Sequence, residues 1–284
     1  WMTPHNGLLY LAVAVDIPNE VKTGRIYATD GAEFWQVIDD GFGNPDNREI
    51  ATLASFNGWL YAGTSNPVTG YEVWKFAGPN GNENPTRVVA NGGPDPRNEI
   101  AGTPCVFKDH LYLGSLIFVG GINLETLNGL KGFDIIRLDA NDHWETVVGP
   151  NSLSGYGSGF NHFTNGYNWY MEKHDGWLYA SSMNNATIWR EMLLNLPDVI
   201  EFIQEVSGNQ KDRNLLLDWQ LHAGAHLYKT PDGVNWYPVS IDGMGKGNNY
   251  GIRTMESAGD YFYLGTANPF DGLEVWCAQS SGSK

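Results

Sequence analysis

Between Ile50 and Phe76 the chain reads IATLASFNGWLYAGTSNPVTGYEVWKF, three short runs in which apolar and polar positions alternate, separated by Asn-Gly and by a loop rich in Pro and Gly. Alternation with a period of two marks half-buried strands, and Asn-Gly between two such runs marks a hairpin. The same frame recurs in AGTPCVFKDHLYLGS (101–115), YNWYMEKHDGWLYASSMN (167–184) and GIRTMESAGDYFYLGTANPFDGLEVW (251–276). YAGTSNPVTGYEVW at 61–74 and YLGTANPFDGLEVW at 263–276 agree at nine of fourteen positions, 202 residues apart. FWQVID (34–39), TRVVA (86–90), WETVVG (144–149) and NWYPVS (235–240) supply a fourth strand to the first four units.

Repeated four-stranded units bury their faces only against each other, so the pattern predicts an all-β five-bladed β-propeller. The expected blades are 1–46, 47–97, 98–160, 161–246 and 247–284. MTPHNGLLYLAVAV reads as the last half of one strand and the whole of the next, and no fourth strand follows LEVWCAQSSGSK. The expectation is flanking polypeptide beyond this sequence, including a further domain, or an unusual closure. The Gly-Thr and Glu-Val-Trp letters of the repeat are expected to pack blade on blade. TDGAEFW (29–35) and TPDGVNW (230–236) read as Asp-box hairpins, whose Asp binds its own turn while Trp plugs the blade.

The repeat breaks in two places. Blade three carries IFVGGINLETLNGLKG (117–132), and blade four carries 185–224, where Ile188, Met192, Leu196, Val199, Ile200 and Ile203 recur at three- and four-residue spacing around Pro197. That spacing predicts a small helical cap over the channel, its apolar side buried on the propeller or on an apolar ligand.

Charge narrows the partners. Seventeen basic and thirty-two acidic residues leave a formal charge of −15, which disfavours nucleic acid and anionic membranes and suits calcium or a neutral ligand. No apolar run is long enough to span a bilayer, and WMTPHNG lacks the features of a signal peptide. A soluble globular protein is expected, with secretion left open. Cys105 and Cys277 fall in units that are not expected to be neighbours, so both are expected as buried thiols outside any disulfide.

P-loop, GxSxG, CxxC and HExxH signatures are absent. Chemistry is therefore sought in the loops leading into each blade: GNPDNREI, DPRNEI, GFNHFTNGYNW and GKGNNYGIR. Their shared Asn47, Asn98, Asn165 and Asn249 are expected to bridge loop backbone. What differs is Arg48 with Glu49, Glu99, His162 with Tyr167 and Trp169, and Tyr250 with Arg253. Arg48 and Tyr250, in equivalent loops, are donors able to hold an anion or a departing halide; the alternative pairs Arg48 with Glu49 and packs Tyr250 beneath a loop. Glu172 and Glu256, equivalent on inner strands, are expected to face the channel, either for acid–base or calcium chemistry or as plain lining. His222 and His226 in HAGAH read as polar pocket lining ahead of a metal pair, and His174, beside the Asp-Gly turn, as a surface residue.

GFGNPDNREI, GFNHFTNGYNWYMEKHDGWLYASS and NNYGIRTMESAGDYFYLGTANPFDGLEVW together resemble bacterial propeller-repeat proteins over nearly the whole chain. Among them, the chain looks like the propeller of cyanobacterial cylindrocyclophane-type Friedel–Crafts alkylating enzymes. That resemblance implies a natural-product enzyme, bacterial and cytoplasmic, joining an alkylresorcinol carbon to a secondary alkyl chloride. It places Arg48 and Tyr250 at the chloride, with Asp218 and His162 orienting or deprotonating the phenol. The family's calcium-binding β-roll has no counterpart in this sequence. Tyr167, Trp169, Glu172, Arg253, Ile188 and Met192 are expected to line the site of a small apolar aromatic or alkyl substrate. No cofactor and no metal are expected in the chemistry, with calcium confined to a structural role. The rival expectation is a non-catalytic propeller binding carbohydrate or another ligand; a third is a protein-interaction platform.

Overall fold

The computed structural model describes residues 1–15, 23–78, 85–117, 131–188 and 223–280. Blade one is β1 (Met2–His5), β2 (Leu8–Val15), β3 (Thr23–Thr29) and β4 (Phe34–Ile38). Blade two is β5 (Glu49–Phe56), β6 (Trp59–Ser65), β7 (Val73–Phe76) and β8 (Thr86–Val89); blade three is β9 (Ile100–Phe107), β10 (His110–Leu116), β11 (Ile135–Leu138) and β12 (Trp144–Val148). Blade four is β13 (Asn165–His174), β14 (Trp177–Asn184), β15 (Leu227–Thr230) and β16 (Tyr237–Ser240), and blade five is β17 (Gly251–Ala258), β18 (Tyr261–Ala267) and β19 (Val275–Gln279). Each blade is an antiparallel meander with consecutive strands paired. The chain is all-β, made of five propeller-type blades, and blade five has three strands among the described residues.

Two compact units result: Trp1–Gly121 with Phe133–Phe160, and Ile122–Gly132 with Asn161–Lys284. In the first, alternation sends the two sides of β5 and β6 in opposite directions. Leu53, Leu60 and Ala62 join Tyr10, Ala12, Ile26 and Ala28 of blade one. Ala54, Phe56, Tyr61, Tyr71 and Val73 join Ala101, Leu111, Leu113, Ile136 and Leu138 of blade three. Full burial of each large side chain favours folding by about 1.5–3 kcal/mol, so blade two is held from both sides. In the second unit Met255, Phe262 and Leu264 of blade five meet Ala225 and Leu227 of blade four.

The repeated glycine has the expected use. A Cβ on Gly63 would lie 2.5 Å from Cβ of Ala101, so its absence lets blades two and three close up. The Asp boxes also form: Asp30 Oδ1 accepts from the N–H groups of Ala32 and Glu33, and Asp232 Oδ1 from those of Val234 and Asn235. Trp236 is buried as a plug, whereas Trp35 of the other box is partly exposed.

Two expectations fail. His174 is buried, stacked on Phe262, with Nδ1 against Ser257 Oγ and Nε2 against Ser280 Oγ. Position on the strand overrides nearness to the turn, because His174 stands where His5 and Phe56 stand in their blades, and all three point inward. The cysteines are free, but Cys105 is half-buried and Cys277 exposed, as is every residue of β19. Of the expected cap, Asn185–Ile188 is helical, and the remainder lies outside the described residues.

Candidate functional site

The four loop asparagines are fully buried, and each organises the approach to its blade. Asn47 Nδ2 donates to Gly41 O and Glu72 Oε2, each at 2.8 Å, while its Oδ1 accepts from Asn66 Nδ2 at 3.0 Å. Asn98 repeats this with Gly92 O, Asp134 Oδ2 and Ser115 Oγ, and Asn249 with Gly243 O, Glu274 Oε2 and Asn268 Nδ2. Bridging of loop backbone is thus as expected, with a carboxylate from the third strand's approach added in three blades. In blade four that place is taken by His226, whose Nδ1 lies 3.0 Å from Asn165 Nδ2. His226 is therefore a buried structural group, and His162 packs edge-on against it with ring centres 4.6 Å apart.

Past each asparagine the first strand carries one more residue than its partner opposes, and two more in blade four, where the register also slips between Asn165 and Tyr167. The register slips between Ile50 and Thr52, across Ala101–Pro104, between Asn168 and Tyr170, and between Ile252 and Thr254. A bulge re-aims the extra side chain, and bulges concentrate beside functional sites. Four residues after the asparagine stand Ala51, Gly102, Trp169 and Arg253. The first unit thus fills these positions with nothing larger than a methyl group, and the second with an indole and a guanidinium.

Those two side chains meet. Cζ of Arg253 lies 5.3 Å from the centre of the Trp169 ring, Tyr250 lies against the same ring at 5.5 Å, and Tyr167 approaches it edge-on at 6.3 Å. The backbone is shaped around this cluster: a Cβ on Gly251 would run into the six-membered ring of Trp169. Tyr250 O also accepts from Asn184 N at 2.7 Å, tying β14 to the start of β17. Gly251 was not expected from sequence; its only signal is glycine where the other blades carry Glu49, Ile100 and Tyr167.

The cluster brings a cation to the ring face. Arg87, Arg97 and Arg137 pair with Glu72, Asp95 and Glu145. Arg253 is exposed and has no carboxylate within ion-pair distance among the described residues, and the Tyr250 hydroxyl has no hydrogen-bond partner there. A cation over a half-buried indole at the surface gains about 0.5–1 kcal/mol, enough to orient the guanidinium without neutralising it.

The other expected site residues are placed as follows in their own units. Arg48 belongs to the first unit, exposed and making no ion pair with Glu49, while its N–H donates to Ser65 O at 2.9 Å. Glu172 sits opposite Tyr179 on the side of β13 turned toward blade five. Burial, with Glu256 nearby, raises its carboxyl above the ordinary range. Ile188 is half-buried at the end of the helical turn, and Asp218 and Met192 lie outside the described residues. Among the described residues there is no group of three or more His, Cys, Asp or Glu able to hold a metal, and no helix long and apolar enough to cross a membrane.

No family model matches the chain, and no curated protein sequence matches it. Solved structures that are similar include a GH43 endo-arabinanase from Bacillus licheniformis, 11% identical, covering 98% of this chain and 91% of that one, with a TM-score of 0.43. The β-xylosidase RS223 is 13% identical over 98% of this chain and 90% of its own, with a TM-score of 0.42. A GH43_1 enzyme from Xanthomonas citri in complex with xylotriose is 12% identical over 98% and 85%, also at 0.42. These are loose likenesses, from which neither site residues nor activity are carried over.

Proposed function

We propose that the second unit is a small-molecule binding unit whose site is centred on Trp169, Tyr250 and Arg253. The ligand class is a molecule that joins a flat, weakly polar ring face to an anionic or strongly electron-rich group. One observation carries the reading: an unpaired, exposed guanidinium held against an indole in a chain of charge −15. The indole and Tyr167 offer ring faces for stacking, while Arg253 and the Tyr250 O–H offer donors for the anionic end. This is closer to the expected ligand-binding propeller than to an enzyme.

The test is calorimetric titration with a matched series: an aromatic carboxylate, its neutral amide and a neutral sugar. Tighter binding of the carboxylate, abolished by Trp169→Ala and weakened about tenfold or more by Arg253→Gln, is expected. Equal affinity of wild type and Arg253→Gln for every member would remove the anionic end from the reading.

A second reading is favoured by Tyr250 and Arg253 both lying against the Trp169 ring. A phenol and a guanidinium that both reach one substrate could stabilise a departing halide, as an aromatic alkylation with a secondary alkyl chloride requires. Incubation with an alkylresorcinol and such a chloride separates the readings. Coupled product lost in Tyr250→Phe supports the enzyme, and unchanged reactants from a protein that still binds the carboxylate leave only binding.

A further inference from the structure

Glycine in a strand gives up backbone entropy and packs nothing, so its presence there needs a cause. Gly251 opens β17, and its backbone lies outside the left-handed region that favours glycine. The equivalent positions hold Glu49, Ile100 and Tyr167, so the strand itself accepts a large side chain. Space, not conformation, excludes one here: a Cβ would strike Cζ3 and Cε3 of the Trp169 ring.

The backbone is poorly placed to step aside. Gly251 pairs with Met183 of β14 and with Ala267 of β18, and the preceding carbonyl, Tyr250 O, accepts from Asn184 N at 2.7 Å. All of these residues belong to the second unit. A carbon added at 251 is therefore relieved by the ring, which has to withdraw by more than about 1 Å to regain the ~3.5–4.0 Å at which carbons rest. The indole has little room to do so and keep its neighbours. Arg253 Cζ stands 5.3 Å from its centre, and cation–π attraction reaches only about 6 Å. Tyr250, joined directly to Gly251, meets the same ring at 5.5 Å.

We infer that Gly251 is the positioning residue of the Trp169 site, and that the bareness of position 251 sets a preference for flat rings over puckered rings of the same charge. This rests on the reading of Trp169, Tyr250 and Arg253 as a ligand site. With no side chain at 251, the indole seats against β17 with the phenol and the guanidinium both in reach. With a side chain there, the guanidinium still attracts an anion, but the ring surface beside it is displaced.

Two measurements on the full chain test this. Calorimetric titration compares benzoate with cyclohexanecarboxylate, which share a charge and differ in flatness. Wild type is expected to hold benzoate about fivefold more tightly, and Gly251→Ala to bind both acids alike. Adding Trp169→Phe, whose smaller ring leaves room for the methyl group, is expected to restore to Gly251→Ala the preference that Trp169→Phe shows alone.

Thermal melting supplies a readout that needs no ligand and verifies that the variants fold. Gly251→Ala is expected to melt below wild type. Introduced into Trp169→Ala, it is expected to melt no lower than its parent, because the methyl group then meets no ring and restricts the unfolded chain. An equal loss in both backgrounds, or an undiminished preference for benzoate in Gly251→Ala, overturns the positioning role and leaves the ligand reading standing. A wild type that binds neither acid removes the ligand reading, and the ring preference with it, even where the melting cycle shows that Gly251 seats the indole.

Discussion

Blades two and five carry the same wiring in different surroundings. Asn47, Asn66, Glu72 and Trp74 correspond to Asn249, Asn268, Glu274 and Trp276, and each quartet makes the same contacts. Glu72 is 2% exposed and receives Arg87 besides, whereas Glu274 is 25% exposed and receives Lys246 instead. Trp74 Nε1 reaches its carboxylate at 2.9 Å and Trp276 at 3.3 Å. Identical letters thus make a sealed polar joint at Glu72 and a wetter one at Glu274. Burial decides what a hydrogen-bonded network is worth.

The largest expected difference is between Asn47→Ala and Asn249→Ala. Removing Asn47 leaves a buried carboxylate short of a donor and the Gly41 carbonyl with only its 3.4 Å bond from Asn44 N. That costs about 3 kcal/mol, against about 1 kcal/mol at Asn249, whose carboxylate partner Glu274 is 25% exposed and open to water. Thermal unfolding of both variants beside wild type gives the ranking; equal losses would mean that burial does not govern these joints.

A smaller gap separates Gly63→Ala from Gly265→Ala. The first forces a methyl against Cβ of Ala101 at 2.5 Å and Cγ2 of Thr52 at 2.7 Å, the second only against Thr254 Oγ1 at 2.6 Å. Overpacking typically costs about 1–3 kcal/mol, and a single side-chain oxygen that can rotate away costs less than about 0.5 kcal/mol. A Gly265→Ala variant as damaged as Gly63→Ala would show that blade five is covered after all.

Acid sharpens the contrast. Burial pulls the Glu72 carboxyl upward, but hydrogen bonds from Asn47, Trp74 and Arg87 outweigh it and hold the group below its ordinary range. Glu274 is also lowered, chiefly by its hydrogen bond from Lys246. A carboxyl lowered in the folded state adds stability that is present above its unfolded pKa and lost as pH falls through the folded one. Between about pH 5 and the acid limit, Glu72→Gln should flatten the fall in melting temperature at low and high salt alike, and Glu274→Gln at low salt only.

Much of this was legible because the chain repeats itself. Asn47, Asn98, Asn165 and Asn249 recur in one context, and their role as bridges could be read directly. Their carboxylate partners could not, since Glu72 and Glu274 follow at 25 residues, Asp134 at 36, and in blade four a histidine follows at 61. Loops of unequal length hide a contact that strand order restores. Trp169 and Arg253 stood out as departures from the repeat, but their meeting depends on a bulge that alternation does not announce. Whether a face is covered is a property of neighbours, which is why Cys277 and Val275 are exposed in the same frame that buries Val73.

The smallest expected effect concerns the one partner that differs in kind. Lys246 occupies the position of Asn44, and both reach the node carboxylate, Asn44 Nδ2 to Glu72 Oε1 at 3.2 Å and Lys246 Nζ to Glu274 Oε1. A lysine on the surface gives up side-chain freedom to make such a pair and is screened by salt, so its net contribution is small. Lys246→Ala should melt with wild type at physiological ionic strength and only slightly earlier at low salt, because Asn249 still holds Glu274. Asn44→Ala, whose partner is sealed, should lower the melting temperature at every salt concentration. If Lys246→Ala proved the costlier of the two, the blade-five joint would be clamped by charge, and the buried asparagine would be the secondary partner there.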